Sequence, residues 1–170
     1  MSRDRRQSSS PANGLFRNAR RRVEDMLNGS DGARRLRILL VDDAPVNLAA
    51  FCRFLDRMGC AVDPVSTGEY AVAMFEEGCA DRRYDLIMID LNMPGFDGLE
   101  TTRRIRAIEA RLPEDHPYRQ RPVPILALTS RNPGDRLDAC RKAGMNDYMY
   151  KPFDCDVLKE ALARWVPVPA

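Results

Sequence analysis

Short apolar runs alternate along most of this chain with longer stretches in which apolar residues recur every three or four positions. Continuous apolar runs are typical of strands buried in a parallel sheet, and the recurring pattern is typical of amphipathic helices. Strands are predicted at residues 36–41, 61–65, 84–89, 125–128 and 147–150. Helices are predicted at about residues 45–59, 67–78, 99–108, 136–143 and 154–165. Five strand-then-helix repeats predict an α/β fold, a doubly wound five-stranded parallel sheet with helices on both faces.

Prolines refine this prediction at two places. Pro64 interrupts the second strand, and because proline has no N–H to donate, that strand suits an edge of the sheet better than its centre. Residues 112–122 are polar and contain prolines, so a loop is predicted there. His116, the only histidine, lies in this loop and is expected to be exposed to solvent.

The amino-terminal part of the chain differs in composition from the rest. Met1 to Arg37 contains ten arginines and four acidic residues, so this part carries about +6 and the remainder about −4. Residues 1–13 have the composition of a disordered tail. Residues 15–27 place Leu15, Ala19, Val23 and Leu27 four positions apart, which predicts a short amphipathic helix with an arginine-rich back. We therefore divide the chain into a basic, largely disordered extension, residues 1–34, and a domain, residues 35–170.

Several uses of this predicted helix remain open. Packing on its own domain or on a twin subunit is the plainest, and docking to another protein is the next. Arg17 and residues 20–22 form a dense cationic patch that could bind nucleic acid or an anionic nucleotide. Few aromatic residues accompany the patch, and no nucleic-acid module is recognisable, so nucleic acid is the less favoured partner.

Composition bounds the remaining possibilities. With 170 residues, the chain has material for one globular domain and an appendage. No apolar stretch approaches the roughly 20 residues that span a bilayer, so no membrane insertion is expected and the protein should lie in the cytoplasm. The cysteines are odd in number and lack metal-binding spacing, so all are expected to be reduced core thiols: Cys52, Cys60, Cys79, Cys140 and Cys155.

Residues capable of chemistry follow the predicted strands. Asp42 and Asp43 follow the first strand, Asp90 the third, Thr129 the fourth and Lys151 the fifth. Ligands of open α/β sheets bind at the carboxyl ends of the strands, so these side chains should meet if the first and third strands are neighbours. Three clustered carboxylates repel one another and invite a cation, and Mg²⁺ prefers oxygen ligands. The pattern predicts a magnesium-dependent phosphoacceptor pocket.

The predicted pocket contains each group that phosphoryl transfer requires. An aspartate can attack a phosphoryl group and form an acyl phosphate. The transfer then depends mostly on positioning and on neutralising charge over the equatorial oxygens. Mg²⁺ would take one oxygen, the Lys151 ammonium another, and the Thr129 hydroxyl with nearby backbone N–H groups the third.

These residues resemble the receiver domain of bacterial two-component response regulators, a flavodoxin-like fold. The resemblance covers about residues 35–166. It rests on motifs at residues 41–43, 90–94, 97–98, 128–130, 143–145 and 148–153, which occur in the order and at the intervals of that family. The motif at residues 41–47 resembles receivers attached to hybrid kinases more than those of transcription factors.

The resemblance implies a role for each residue of the pocket. Asp90 matches the phosphoacceptor, which receives phosphate from a sensor histidine kinase or a histidine phosphotransfer protein. Asp42 and Asp43 match the acidic pair that binds Mg²⁺ together with Asp90. Asn92 matches the residue whose backbone carbonyl completes the metal site, and Lys151 matches the phosphate-contacting lysine.

Further positions match the switching parts of the family. Thr129 matches the hydroxyl that moves toward the phosphoryl group, and Tyr148 the aromatic residue that turns inward with it. Asn92 and Arg131, two residues beyond Asp90 and Thr129, match positions that tune the phosphate lifetime.

The resemblance leads us to expect a single-domain response regulator that signals through phosphorylation-dependent contact with an unidentified protein target. A phosphorylation-dependent homodimer is a further expectation. The response regulator would not be an enzyme acting on an external metabolite, since its catalysis is limited to its own phosphorylation and the slow hydrolysis of its aspartyl phosphate. Three alternatives are a relay intermediate that passes phosphate onward, a constitutive binding module that uses the arginine-rich helix, and a haloacid-dehalogenase-like phosphatase. The last requires a DxD motif at the first strand, where this chain has adjacent aspartates.

Overall fold

A five-stranded, wholly parallel sheet forms the centre of the fold in the computed structural model, which describes residues 35–81, 84–130 and 136–166. The strands lie in the order β2-β1-β3-β4-β5. Their bounds are β1 Arg37–Val41, β2 Ala61–Val65, β3 Leu86–Asp90, β4 Ile125–Thr129 and β5 Asp147–Tyr150. The helices are α1 Pro45–Arg57, α2 Gly68–Gly78, α3 Gly98–Arg111, α4 Pro117–Gln120, α5 Arg136–Ala143 and α6 Cys155–Trp165. This is the doubly wound, flavodoxin-like arrangement that the sequence predicts.

Alternate residues of the strands contribute side chains to two separate apolar layers, because successive side chains of a strand point to opposite faces of the sheet. Leu39 and Ile87 pack with Phe75 of α2 on one face, together with residues of α3, α4 and α5. Ile38 on the other face packs with Leu55 of α1 and with residues of α6. The sheet is thereby covered on both faces, which holds its carboxyl edge as a rigid platform for the site.

Strand ends differ slightly from the prediction. Pro64 lies in β2, which is an edge strand as predicted. Asp90 and Thr129 are the last residues of β3 and β4, whereas the prediction placed both just after a strand. They remain in the sheet because β4 and β5 continue beside them, with Asp90 opposite Leu128 and Thr129 opposite Tyr150.

The loop predicted at residues 112–122 contains the short helix α4, and His116 is half-buried, so both predictions were wrong. His116 caps α4, because its Nδ1 accepts a hydrogen bond of 3.1 Å from the Tyr118 backbone N–H. Its Nε2 lies 2.8 Å from the carbonyl oxygen of Cys79. Tyr118 is fully buried against Phe75. The polar composition of residues 112–122 gave no sign of a packed helix, because a single buried aromatic residue, Tyr118, holds this segment to the core.

The cysteines are not all core thiols, which corrects the prediction. Cys60, Cys79 and Cys140 are buried, Cys52 is half-buried and Cys155 is exposed; all five are free. Burial raises the pKa of the Cys60 thiol to about 12 and that of Cys79 to about 11. These two thiols therefore stay protonated and unreactive at neutral pH.

The predicted division of the chain concerns residues outside this description. The extension, residues 1–34, with its amphipathic helix at residues 15–27, lies outside the described residues, so this division of the chain stays a prediction. Every helix in the described part of the chain is too short or too polar to span a bilayer.

Candidate functional site

Three carboxylates meet at the carboxyl edge of the sheet. Asp42 follows β1 directly, Asp43 is the next residue, and Asp90 ends β3, the strand that pairs with β1. One carboxylate oxygen of each lies within 4.8 Å of those of the other two. Asp42 is fully buried and Asp90 is 7% exposed, while Asp43 faces solvent. The sheet order thus brings together the acidic residues that the sequence predicts.

Lys151 joins two of these carboxylates. Its Nζ lies 2.9 Å from Asp42 Oδ2 and 3.1 Å from Asp90 Oδ2. The lysine directly follows β5, and its backbone N–H donates to the carbonyl oxygen of Thr129 at 2.7 Å, so its side chain reaches across the end of β4. Partial burial lowers the pKa of this ammonium, but its hydrogen bonds to both carboxylates outweigh that effect and raise the pKa overall. Lys151 is therefore cationic at neutral pH.

The charges of this site fit a divalent cation. Three carboxylates and one ammonium leave an excess of negative charge, and Asp42 carries its share in a fully buried position. Oxygen ligands from one or two carboxylates are what Mg²⁺ usually takes from a protein. Asp42, Asp43 and Asp90 are the residues that would hold Mg²⁺, with Asp43 on the open side where solvent can complete the coordination.

Asn47 supports the site and was missed by the sequence analysis. Its Nδ2 donates to both carboxylate oxygens of Asp42, each at 3.2 Å. The backbone N–H of Ala44 donates to Asp42 Oδ1 at 2.9 Å. These donors orient a buried carboxylate that would otherwise be free to rotate. A polar residue in the first turn of α1, five residues after Asp42, was the available signal.

The other predicted residues lie around this centre. Thr129 is 5% exposed at the end of β4, next to the strand that carries Asp90. Tyr148 lies on β5, half-buried, and packs against the apolar layer that contains Met145. Its ring meets the exposed ring of Tyr150 edge-on, at 5.5 Å between centroids. The structure thus places Thr129 at the site and Tyr148 on the edge strand beside it.

Asn92 connects the site to α5. Its backbone N–H donates to Asp90 Oδ1 at 3.2 Å, and its Oδ1 accepts a hydrogen bond of 2.6 Å from Arg136 Nη1. Arg136 opens α5 and was not singled out from the sequence. Arg131, the other predicted lifetime-tuning residue, lies outside the described residues.

Comparison with known proteins places this arrangement in a family. The family model described as response regulator receiver domain matches residues 38–163. This chain belongs to the response regulator receiver family. The matched range holds every residue of the carboxylate and lysine cluster, from Asp42 to Lys151.

A sensor protein is among the similar proteins. This receiver is 36% identical over 127 residues to the virulence sensor protein BvgS of Bordetella bronchiseptica, a match that covers 75% of this chain and 10% of BvgS. The chain spans only about a tenth of the length of the first such relatives.

Two solved structures extend the comparison. The receiver domain of the sensor histidine kinase PA1611 from Pseudomonas aeruginosa, with a magnesium ion coordinated in its active site cleft, is 38% identical with a TM-score of 0.63. That match covers 78% of this chain and 98% of the PA1611 domain. The second is the co-crystal structure of the Saccharomyces cerevisiae phosphotransfer protein Ypd1 and the receiver domain of Ssk1. The matched chain of that structure is 27% identical in sequence to this one, with a TM-score of 0.64. It covers 78% of this chain and 89% of the matched one.

Proposed function

We propose that this receiver is a Mg²⁺-dependent phosphoacceptor and that Asp90 is the residue phosphorylated. The observation that carries the proposal is the Lys151 ammonium held between Asp42 and Asp90 at 2.9 and 3.1 Å, with Asp43 alongside. A buried, cation-bridged carboxylate at a sheet edge is suited to receive a group that carries negative charge. A structural ion pair alone would not require the third carboxylate.

The transfer follows from these positions. A carboxylate oxygen of Asp90 attacks the phosphorus of a phosphohistidine, the phosphorus–nitrogen bond breaks, and the imidazole nitrogen leaves with the bonding electron pair. Lys151 is within reach of the incoming phosphoryl oxygens, and the Thr129 hydroxyl lies at the end of the adjacent strand. Bound Mg²⁺ would neutralise a further share of the oxygen charge. The chain's own contribution is to hold these groups in place before the donor arrives.

The partner in this proposal is a sensor histidine kinase or a histidine phosphotransfer protein, acting in the cytoplasm. Support comes from the similarity to the receiver domain of the sensor histidine kinase PA1611 and to a receiver crystallised with the phosphotransfer protein Ypd1. The receiver would act on no external metabolite, and its catalysis would end with slow hydrolysis of its own aspartyl phosphate. Its downstream partner, its phosphorylation-dependent dimerisation and its single-domain status stay predictions.

Intact-mass measurement after incubation with a small phosphodonor and Mg²⁺ tests the proposal. We expect a labile gain of one phosphoryl group that requires Mg²⁺ and is lost in Asp90→Asn. Asp138→Asn is the matched control, because Asp138 is an exposed aspartate on α5 that lies 3.9 Å from Arg141. If the wild type gains no phosphoryl group, the measurement is repeated with a phosphorylated phosphotransfer protein as the donor. Failure with that donor as well would overturn the phosphoacceptor role and favour a constitutive binding module.

A further inference from the structure

An apolar groove of about 550 Å³ lies along the β2 edge of the sheet. Its lining includes residues from α1, the end of β2 and α2, among them Leu48, Ala49, Cys52, Val65, Tyr70 and Met74. Val65 is the only buried residue of β2, whereas every residue of β3 and β4 is buried. Tyr70 is 68% exposed. Parallel sheets are normally covered on both faces, and proteins commonly cover an open edge with a helix or loop.

Arg35 fixes where the amino-terminal extension leaves the domain. Its Nη2 lies 2.7 Å from Asp56 Oδ1 and 2.6 Å from the carbonyl oxygen of Cys60, and its Nε donates to the carbonyl oxygen of Gly59 at 2.9 Å. Asp56 comes four residues after Cys52, so both lie on the same face of α1. The Arg35 guanidinium therefore lies one helical turn beyond the groove, and the extension leaves the domain on this side of it.

The chain before Arg35 is long enough to fill the groove. A helix of residues 15–27 would be about 20 Å long, the same length as the 13-residue α1 that forms one wall. Residues 28–34 connect that segment to Arg35, and seven extended residues span up to about 25 Å. The segment can therefore reach the whole groove without displacing Arg35.

The chemistry of the segment matches the groove. Its apolar stripe contains Leu15, Ala19, Val23 and Leu27, and its back carries Arg17 and Arg21. Residues 1–34 contain eight arginines and four acidic residues and carry about +4, whereas residues 35–170 carry about −2, so the two parts attract each other. Asp56 lies one helical turn after Cys52 on α1, and Glu77 lies one turn after Met74 on α2. Both acidic residues are exposed, and they lie at the end of the groove where the extension leaves the domain.

We propose that residues 15–27 form a helix that docks by its apolar stripe into this groove of the same molecule. The docked helix covers the β2 edge and shields the exposed ring of Tyr70. This intramolecular interaction is independent of the phosphoacceptor function, because no residue of the carboxylate and lysine cluster lines the groove.

Cys52 is a natural reporter for docking. Its half-exposed thiol lines the groove, and the exposed Cys155 on α6 and the buried Cys60 provide internal controls. Maleimide labelling of the full-length chain, resolved by peptide mass mapping, gives a separate rate for each thiol. The test variant is Val23→Gln/Leu27→Gln, which breaks the stripe with a good helix former. The matched control is Glu24→Gln, on the back of the same helix.

We expect Cys52 labelling to rise roughly tenfold in the stripe variant, because two apolar side chains no longer hold the helix in the groove. Cys155 labelling should stay constant, Cys60 should stay unlabelled, and Glu24→Gln should match the wild type. Equal Cys52 rates in the wild type and the stripe variant would overturn the proposal. Protection that disappears on dilution would also overturn it, since the occupant would then be a second copy of the chain.

Discussion

The Tyr118 hydroxyl bonds both backbone polar groups of Tyr84: it accepts from the N–H and donates to the carbonyl oxygen, each at 2.7 Å. Both residues are fully buried. Tyr84 lies two residues before β3, the strand that ends in Asp90. The Tyr118 hydroxyl, on the short helix α4, thus fixes the backbone just before β3, the strand that carries the proposed phosphoacceptor.

Removing this hydroxyl should destabilise the domain. Tyr118→Phe leaves the buried N–H and carbonyl of Tyr84 without this partner, at an expected cost of about 2 to 4 kcal/mol in the free energy of unfolding. Urea denaturation measures the change. Tyr70→Phe is the matched control, because the Tyr70 ring is 68% exposed, and its cost should be near zero. Equal stability of the two variants would contradict the role of the Tyr118 hydroxyl.

Stability should also depend on pH through Glu109. This buried carboxylate accepts from the Val123 N–H at 2.6 Å and from Arg106 Nη1 at 2.7 Å. Burial raises the pKa of Glu109 above the ordinary 4.5, an effect that Arg106 only partly offsets. Because the folded state holds the proton more tightly than the unfolded state, this contribution to stability is largest below pH 4.5 and is lost as the pH rises through the folded pKa.

The free energy of unfolding of wild type minus that of Glu109→Gln isolates this term. We expect the difference to fall as the pH rises from about 4.5 and to become flat once Glu109 is ionised in the folded state. Denaturation at a series of pH values measures it, since the other titrating groups cancel. A difference that grows with pH would show that the Arg106 charge outweighs burial.

Lys151 should affect metal affinity and phosphorylation in opposite directions. Lys151→Ala removes the only ammonium placed between Asp42 and Asp90 among the described residues, so the carboxylates become more attractive to a divalent cation. We expect Mg²⁺ affinity to rise several-fold by calorimetry. The rate of phosphorylation by a small donor should fall by about tenfold or more, because the phosphoryl oxygens lose a cationic partner. A variant with weaker Mg²⁺ binding would mean that Lys151 positions the carboxylates instead.

Gly98, the first residue of α3, lies directly against the proposed phosphoacceptor strand. A Cβ at this position would lie 2.6 Å from the carbonyl oxygen of Asp90 and 2.9 Å from the Cα of Leu91. Backbone atoms cannot rotate away, so Gly98→Ala must shift the end of β3. We expect a loss of about 1 to 3 kcal/mol in the free energy of unfolding, together with slower phosphorylation. Ala107→Ser, an exposed change on the same helix, should alter neither.

Local pattern was sufficient to predict the fold and the residues of the carboxylate cluster. Buried parallel strands appear in a sequence as apolar runs, and the residue at which such a run stops lies at the carboxyl edge of the sheet. Asp42, Asp90 and Thr129 each mark such a stop, so their positions along the chain already indicated that they could meet. The proline in β2 likewise indicated an edge strand. The prediction missed by one residue where β3 and β4 end, because a polar residue can still pair with the neighbouring strand.

Other long-range contacts were decided by the tertiary structure alone. Arg136 reaches Asn92 across 44 positions of sequence, and Tyr118 reaches Tyr84 across 34. Cys52 and Cys155 differ from the buried cysteines only through their surroundings. Periodicity reports which face of an element is buried, but a hydrogen bond requires a donor atom and an acceptor atom to be placed within about 3 Å of each other. That placement depends on how the helices pack on the sheet, which no local pattern records.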